Sequence, residues 1–197
     1  MLLAALLLCL LGCTNTIIAP PDPVDPVSVY LIDYGRHSSL LLPDGDADAG
    51  AGAGAFIEYA YGDWNWFALD KSDVLDLFPT LLWPTRGALG RWPWPPKNGV
   101  RNRFLPETIR RDTHCQHVLE IVVPSRAVAA QLQHLDQRFR ANIHTLHYQP
   151  LYRLDFVHDE QPYHVFHNCN HLVVQWLENL GCEVRGTGIF AVFRLQP

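Results

Sequence analysis

The sequence predicts an α+β fold in which an antiparallel sheet packs against a late helix that carries a cysteine at its N-terminus. Short runs of β-branched and aromatic residues recur between turn signals over residues 27–166, as is typical of strands. Residues 168–181 place apolar side chains at helical spacing between an asparagine and a glycine. No repeat or linker interrupts residues 27–197, so we expect one domain there.

The first strands are predicted at residues 27–33, 38–43 and 56–61. Residues 44–55 (DGDADAGAGAGA) indicate a mobile hairpin loop between the second and third strands. Because side chains alternate along a strand, Glu58 is expected to share a face with Phe56 and Ala60.

The middle of the chain gives a weaker pattern. Residues 64–78 fit an amphipathic helix, with Asp63 as its cap. Residues 83–96 are dense in tryptophan and proline, which disfavours both a helix and a central strand. Two interpretations stay open for this stretch: an exposed surface that contacts substrate or membrane, or aromatic side chains packed over a small core.

The C-terminal half alternates strands and helices. A strand is predicted at 115–123, a helix from 125 to about 140, strands at 151–157 and 163–166, and a last strand at 189–195. The late helix begins at Cys169 after the N-cap Asn168 and ends before Gly181. Free N–H groups and the helix dipole at such a position favour a thiolate, so we expect the pKa of Cys169 to be lowered.

The N-terminus resembles a bacterial lipoprotein leader. Residues 1–12 are almost wholly apolar, too short to cross a bilayer, and typical of a signal-peptide core, although the run has no Lys or Arg at its start. The run 10–13 (LLGC) resembles a lipobox, which implies that Cys13 is lipidated and becomes the mature N-terminus. We therefore expect a signal peptide at 1–12, a lipidated cysteine and Pro-rich tether at 13–26, and a domain at 27–197. The alternative is a buried N-terminal helix.

The lipobox resemblance also implies a location. No aspartate follows Cys13, which implies a lipid-anchored protein of the bacterial cell envelope, in the outer membrane and facing the periplasm. The net charge of −5 and the scattered basic residues exclude a typical nucleic-acid-binding protein. In an oxidising compartment Cys115 and Cys182 are the pair left for a disulfide if Cys169 stays free, and the sequence leaves open whether they bond.

A histidine is the second chemical signal. His37 lies between two predicted strands, and an imidazole titrates close enough to neutrality to act as a general base. Taken together with a thiol at a helix N-terminus, it predicts a nucleophile and its base.

The order of these residues resembles the circularly permuted papain-like fold, a superfamily that includes permuted NlpC-type hydrolases and lecithin retinol acyltransferase-like enzymes. Those acyltransferases carry Asn-Cys-Glu-His where this chain has Asn-Cys-Asn-His at 168–171. Residues 35–37 and 58–64 are further similar to a family of bacterial envelope proteins of unassigned function. The resemblance covers residues 27–182.

The resemblance implies that Cys169 is the nucleophile, His37 the general base and Glu58 the group that orients the imidazole. It assigns supporting roles to Asn168, His167 and His171. The retinol-type enzymes have a second histidine where this chain has Glu58, so their substrate is not implied. No cofactor is expected.

Metal binding is the rival chemistry for the same segment, which holds His164, His167, Cys169 and His171. Cys169 and His171 are two residues apart, however, and would point in different directions on a helix. No zinc-binding spacing supports a metal, so none is expected.

These observations predict a cysteine acyl hydrolase or acyltransferase that acts through a thioester on a lipid, lipoprotein or amide substrate. Two alternatives remain: a peptidoglycan peptidase or amidase, and a non-catalytic lipoprotein that uses the same fold to bind a ligand.

Overall fold

The computed structural model describes residues 14–35, 37–44, 55–71, 83–94, 105–113 and 115–196. The predicted α+β class is confirmed, with mostly antiparallel strands and few helices. The strands are β1 Asn15–Ile18, β2 Pro26–Asp33, β3 Ser38–Pro43, β4 Phe56–Asp63, β5 Thr85–Trp94, β6 His117–Pro124, β7 His147–Gln149, β8 Leu154–Tyr163, β9 Glu183–Arg185 and β10 Phe193–Leu195. The α-helices are α1 Leu105–Asp112, α2 Ser125–Ala141 and α3 Cys169–Asn179.

The main sheet has seven strands in the order β6-β2-β3-β4-β5-β8-β7, and each neighbouring pair is antiparallel. Helices α2 and α3 cover one face, here called the inner face, where the largest hydrophobic cluster lies. That cluster includes Leu40, Leu42, Tyr59, Tyr61, Leu135, Phe139, Leu172, Val173 and Trp176. Burial of each large apolar side chain stabilises the fold by about 1.5–3 kcal/mol.

The opposite face of the sheet, here called the outer face, carries two smaller clusters. One packs under α1 and consists of Tyr30, Ile32, Leu41, Ile109 and Val118. The other consists of Ala60, Ala68, Ala88, Leu154 and Phe156, with Phe67 and Tyr152 packed against it. The alternation of β3 and β4 therefore buries side chains on both faces, and the sheet is a central layer.

The first strand corrects the expected tether over residues 13–26. β1 pairs in parallel with β10 and antiparallel with β9 in a separate three-stranded sheet. Asn15 and Ile17 are 1% and 0% exposed, and Ile17 belongs to the inner-face cluster. Within the described residues, a strand therefore lies upstream of the Pro-rich segment. The predicted signal peptide at 1–12 and Cys13 lie outside the described residues.

The expectation that residues 83–96 avoid a central strand is wrong. β5 lies between β4 and β8, and Trp92 and Trp94 pack against the outer-face clusters. Pro93 is tolerated because the pairing of β5 with β8 ends at Arg91, so the missing N–H removes no bond on that side. The interpretation of these aromatics as core packing is therefore the one that holds for residues 92 and 94.

Other boundaries differ from the predictions. β8 is one continuous strand, and residues 164–167 form a turn closed by a bridge between His164 and His167 where a strand was expected. In the described part of the predicted helix at 64–78, residues 64–71, the structure has a π-helical turn at Trp64–Ala68, and Asp63 caps it by accepting the Trp66 N–H at 2.8 Å. Residues 45–54 and 72–82 lie outside the described part. Within that part, no helix combines the length and the apolar character that a membrane span requires.

Candidate functional site

Cys169 is the first residue of α3, as predicted. The side-chain oxygen of the N-cap Asn168 accepts the N–H groups of Asn170 at 2.9 Å and His171 at 3.2 Å. The side-chain amide of Asn168 donates to the carbonyls of Val165 at 3.3 Å and Ile189 at 3.4 Å. Asn168 therefore fixes the start of the helix and joins it to the two loops beside it.

The thiol of Cys169 is buried, with the residue 3% exposed. The backbone N–H groups of Ser38, Asn170 and Cys169 itself act to lower the pKa of the thiol and favour the thiolate, although the Asn170 N–H also donates to Asn168 Oδ1. Burial outweighs them and raises the pKa of Cys169 to about 11. The expected lowering of this pKa is therefore wrong for this conformation, and the thiol is neutral at pH 7.

Two tyrosines, Tyr61 and Tyr163, are within electrostatic range of the Cys169 thiol. Burial raises the pKa values of both; the Asp159 carboxylate raises that of Tyr61 further, and the negative form of Cys169 raises that of Tyr163 further. Their ring centroids are 6.0 Å apart, and the Tyr61 hydroxyl donates to the Gln161 carbonyl at 2.8 Å. The sequence pattern placed Tyr61 on the face of β4 opposite Glu58 but assigned it no role.

Two polar atoms near the sulfur are unpartnered. Ser38 Oγ and Asn170 Oδ1 are buried and have no hydrogen-bond partner among the described residues. An unsatisfied buried polar group costs about 1–3 kcal/mol, so such groups in a folded protein usually serve a ligand, a water or a reaction. Both atoms belong to residues whose N–H groups act to lower the pKa of Cys169.

His37 lies on the outer face, away from the thiol. Its ring stacks on Tyr34, with centroids 4.6 Å apart and planes at 10°. Its edges face Phe67 at 5.3 Å and Tyr152 at 5.5 Å, both members of an outer-face cluster. Burial lowers the pKa of His37 to about 4, so the imidazole is neutral at pH 7.

Glu58 also lies on the outer face and is 4% exposed. Its Oε1 accepts the hydroxyls of Ser39 at 2.6 Å and Tyr34 at 2.8 Å, and its Oε2 accepts the Trp94 indole N–H at 2.9 Å. Within the described residues, these three donors are the hydrogen-bond partners of the Glu58 carboxylate. Tyr34 thus links the two groups, because its hydroxyl bonds Glu58 and its ring supports His37.

The structure does not bring the three predicted catalytic side chains together. Cys169 packs on the inner face, whereas His37 and Glu58 point to the outer face. The link between the two sides is the backbone, because the residue after His37 is Ser38, whose N–H acts to lower the pKa of the thiol. The turn before β3 decides which side His37 faces, and alternation within a strand does not specify that turn.

The predicted supporting histidines flank the start of α3. His171 Nδ1 lies 3.0 Å from the Asn168 side-chain oxygen, and burial, followed by His167 and His164, lowers the pKa of His171. His167 Nδ1 lies 2.8 Å from the Pro162 carbonyl, and its ring packs edge-on to Tyr61 at 5.7 Å. His171 therefore supports the cap, and His167 supports the Tyr61 ring.

A bulge in β8 lies next to the Tyr61 hydroxyl. Arg138 bonds both oxygens of Asp159 at 2.8 Å, and the Gln161 N–H donates to the same carboxylate at 2.9 Å. The pairing with β5 shifts at Arg86/Gly87, and a Cβ at Gly87 would collide with the Gln161 carbonyl and the Tyr61 hydroxyl. Two open clefts of about 390 and 370 Å³ share Asp159 and Glu160 in their walls. Sequence reasoning missed this ion pair.

Metal and disulfide chemistry find no support in the described part of the chain. No group of three or more His, Cys, Asp or Glu side chains there is arranged to hold a metal ion. Cys115, Cys169 and Cys182 are free thiols. Cys115 packs against an outer-face cluster and Cys182 lies in the inner-face core, so the sheet separates them.

A scan against protein-family models, a search of curated proteins and a search of solved structures each find no match to this chain.

Proposed function

We propose that this chain is a cell-envelope thiol enzyme, an acyl hydrolase or acyltransferase in which Cys169 is the nucleophile. The observation that carries the proposal is the position of Cys169 as the first residue of α3, behind the N-cap Asn168, with the backbone N–H of Ser38 on β3 among the groups that lower its pKa. Cys182 is a useful contrast, because burial alone raises its pKa to about 11 and no N–H group acts on it. A cysteine that only fills a core needs no such donors.

The proposed reaction begins with attack of the Cys169 thiolate on a carbonyl carbon, which forms a C–S bond and a tetrahedral oxyanion. The N–H groups of Ser38 and Cys169 are the donors available to stabilise that charge, because the Asn170 N–H is held by the Asn168 side chain. The leaving group departs with a proton and leaves a thioester. Water then releases the acid, or an alcohol or amine accepts the acyl group.

A base must first remove the thiol proton, and His37 remains the proposed base. The step requires the turn before β3 to bring the imidazole to the inner side. Gly35 has φ +88°, and the Tyr34 N–H bonds the His37 carbonyl at 3.0 Å, so a short glycine-containing turn is what must change. Glu58 acts in this proposal as a positioning residue, because it holds Tyr34 and thereby the turn.

The permuted papain-like fold is part of the same proposal. Its support is the order along the chain: His37 precedes β3, Glu58 lies on β4, and Cys169 opens a helix packed against that sheet. Signal-peptide removal, lipidation of Cys13 and an outer-membrane location facing the periplasm also remain proposals. The proposed substrates are lipid, lipoprotein or amide acyl groups, and mass spectrometry of lipids and muropeptides after gene deletion would separate them.

The direct test is labelling with a thiol-directed acyl probe. Cys169→Ala should abolish labelling, while Cys182→Ala, which alters another buried thiol of similarly raised pKa, should leave it unchanged. Undiminished labelling of Cys169→Ala would contradict the proposal.

A second candidate is a non-catalytic, ligand-binding lipoprotein. The observation that favours it is the neutral, buried thiol on the opposite face from His37. The pH dependence of Cys169 alkylation distinguishes the two. An apparent pKa below the ordinary thiol value of about 8.5 supports the enzyme, and one that stays near 11 supports the binding protein.

A further inference from the structure

Exposed apolar side chains gather at the N-terminal end of α3. Phe166, Phe190 and Val192 are 72%, 49% and 44% exposed, and we call these three residues the apolar rim. The Asn168 side chain bonds the carbonyls of residues 165 and 189, so it joins the two loops that carry the rim. The rim thus flanks the start of the helix that begins with Cys169.

The beginning of β1 is fixed to the same loop. The Asn15 N–H donates to the Val192 carbonyl at 2.8 Å, and its side-chain amide donates to the Phe190 carbonyl at 2.7 Å. The Asn15 side-chain oxygen accepts the Gly188 N–H at 2.9 Å. Asn15 therefore holds the start of β1 against the loop that carries Phe190 and Val192 of the apolar rim.

This attachment limits how far a lipid on Cys13 can lie from the rim. Two residue steps separate Cys13 from Asn15, and an extended chain covers at most about 3.6 Å per residue, so the span is about 7 Å or less. The Pro-rich segment follows β1 and cannot act as a spacer between the lipid and the domain.

We propose that the apolar rim docks on the phospholipid bilayer that holds the acyl chains of Cys13. The N-terminal end of α3 then faces the membrane, and Cys169 takes its acyl group from a lipid or lipoprotein embedded there. Aromatic side chains favour the interface between headgroups and acyl chains, and they add binding to that of the lipid anchor. The inference rests on the proposed lipidation of Cys13 and on the proposed role of Cys169.

The test uses the full-length lipidated protein in vesicles of phosphatidylethanolamine and phosphatidylglycerol, with and without brominated acyl chains. Phe166→Cys and Val24→Cys each receive a polarity-sensitive fluorophore, and the unsubstituted chain gives the background from native thiols. The two sites are matched, at 72% and 75% exposed. Val24 lies in the segment between Pro20, which is close to Gly181 just beyond the C-terminal end of α3, and the start of β2.

We expect a blue shift and strong quenching by brominated lipid at position 166 and neither at position 24. Equal quenching at both sites, or none at 166, overturns the inference. Incorporation of an alkyne fatty acid at Cys13 is measured in the same samples, and its absence overturns the inference together with the proposed anchor. Quenching at 166 without probe labelling of Cys169 would refute the enzyme and leave the docking surface standing.

A second measurement tests the substrate class. The double variant Phe166→Ser/Phe190→Ser should lose several-fold of the Cys169 labelling by a long-chain acyl probe presented in vesicles. Labelling by a short, water-soluble probe should stay unchanged, because the variant does not alter the thiol. Equal loss with both probes would contradict membrane delivery of the acyl group.

Discussion

The two faces of the main sheet carry polar groups of opposite character at the start of β3. On the outer face, the Glu58 carboxylate accepts three donors and His37 is enclosed by aromatic rings. On the inner face, backbone N–H groups act on the Cys169 thiol, while Ser38 Oγ and Asn170 Oδ1 lack partners within the described residues. The Glu58 carboxylate on the outer face is fully hydrogen-bonded, which is typical of a structural group. On the inner face, two side-chain oxygens beside Cys169 are left able to accept or donate further hydrogen bonds.

Adjacent serines show the contrast within one strand. Ser39 points to the outer face, where its hydroxyl donates to Glu58 at 2.6 Å. Ser38 is 0% exposed on the inner side, and its hydroxyl is one of the unpartnered groups. Because a satisfied buried network is stabilising and an unsatisfied one is costly, stability should depend on the outer cluster and reactivity on the inner one.

The largest expected effect follows from loss of the outer carboxylate. Glu58→Ala leaves the donors of Tyr34, Ser39 and Trp94 without an acceptor, so the free energy of unfolding should fall by about 3–5 kcal/mol. Urea unfolding measures this loss. Glu120→Ala is the matched control, since its carboxylate is exposed and accepts the Ser28 hydroxyl, and it should cost less than about 1 kcal/mol.

The outcome for Glu58 also tests its role. If Glu58→Ala kept full stability and lost only probe labelling of Cys169, Glu58 would act directly in catalysis and the contrast between the faces would fail. A stability loss that Glu58→Gln partly restores would support the positioning role, because the amide keeps one acceptor oxygen.

An intermediate effect concerns the pH dependence of stability. Burial lowers the pKa of His37 to about 4, so between about pH 6.5 and pH 4 the unfolded chain binds a proton that the folded chain does not. Stability from this group is complete above pH 6.5 and is lost as the pH falls, by up to about 3 kcal/mol.

The measurement is the unfolding free energy of the wild type and of His37→Phe across this pH range. The variant should lose less stability on acidification, because phenylalanine keeps an aromatic ring in the cluster without a titrating group. His134→Phe alters an exposed histidine on α2 and should follow the wild type. Identical pH dependence in all three proteins would place His37 in solvent and remove it from the outer cluster.

Features governed by neighbouring residues were predictable from the sequence. The N-cap Asn168 and the Asp63 cap are in their expected places, because each side chain bonds N–H groups two or three residues later. β3 and β4 were predicted for a similar reason, since each is a short run of strand-forming residues bounded by turn signals nearby in the sequence. The placement of Cys169 at the first turn of a helix belongs to the same class of local prediction.

Features set by distant segments were not predictable. The side on which His37 lies depends on Phe67 and Tyr152, which reach it from elsewhere in the chain. Residues 13–26 alone have the composition of a tether. β1 within them forms because it pairs with β9 and β10, which are distant in the sequence. The raised pKa of Cys169 likewise comes from burial by the assembled sheet and helix, which outweighs the local effect of the helix N-terminus.

The smallest effect on stability is expected at the helix cap, and it separates the cap from the thiol. Asn168→Ala removes the acceptor of the Asn170 and His171 N–H groups and the donor to the Val165 and Ile189 carbonyls, which should cost about 2 kcal/mol and increase the alkylation rate of Cys169 by loosening its cover. Asn168→Asp keeps the cap acceptor and should stay closer to wild-type stability. Its negative charge beside the sulfur disfavours the thiolate, so alkylation should become slower than in the wild type. Unfolding and alkylation rates that changed in parallel in both variants would show that the cap alone controls the thiol, with no separate electrostatic effect at the inner face.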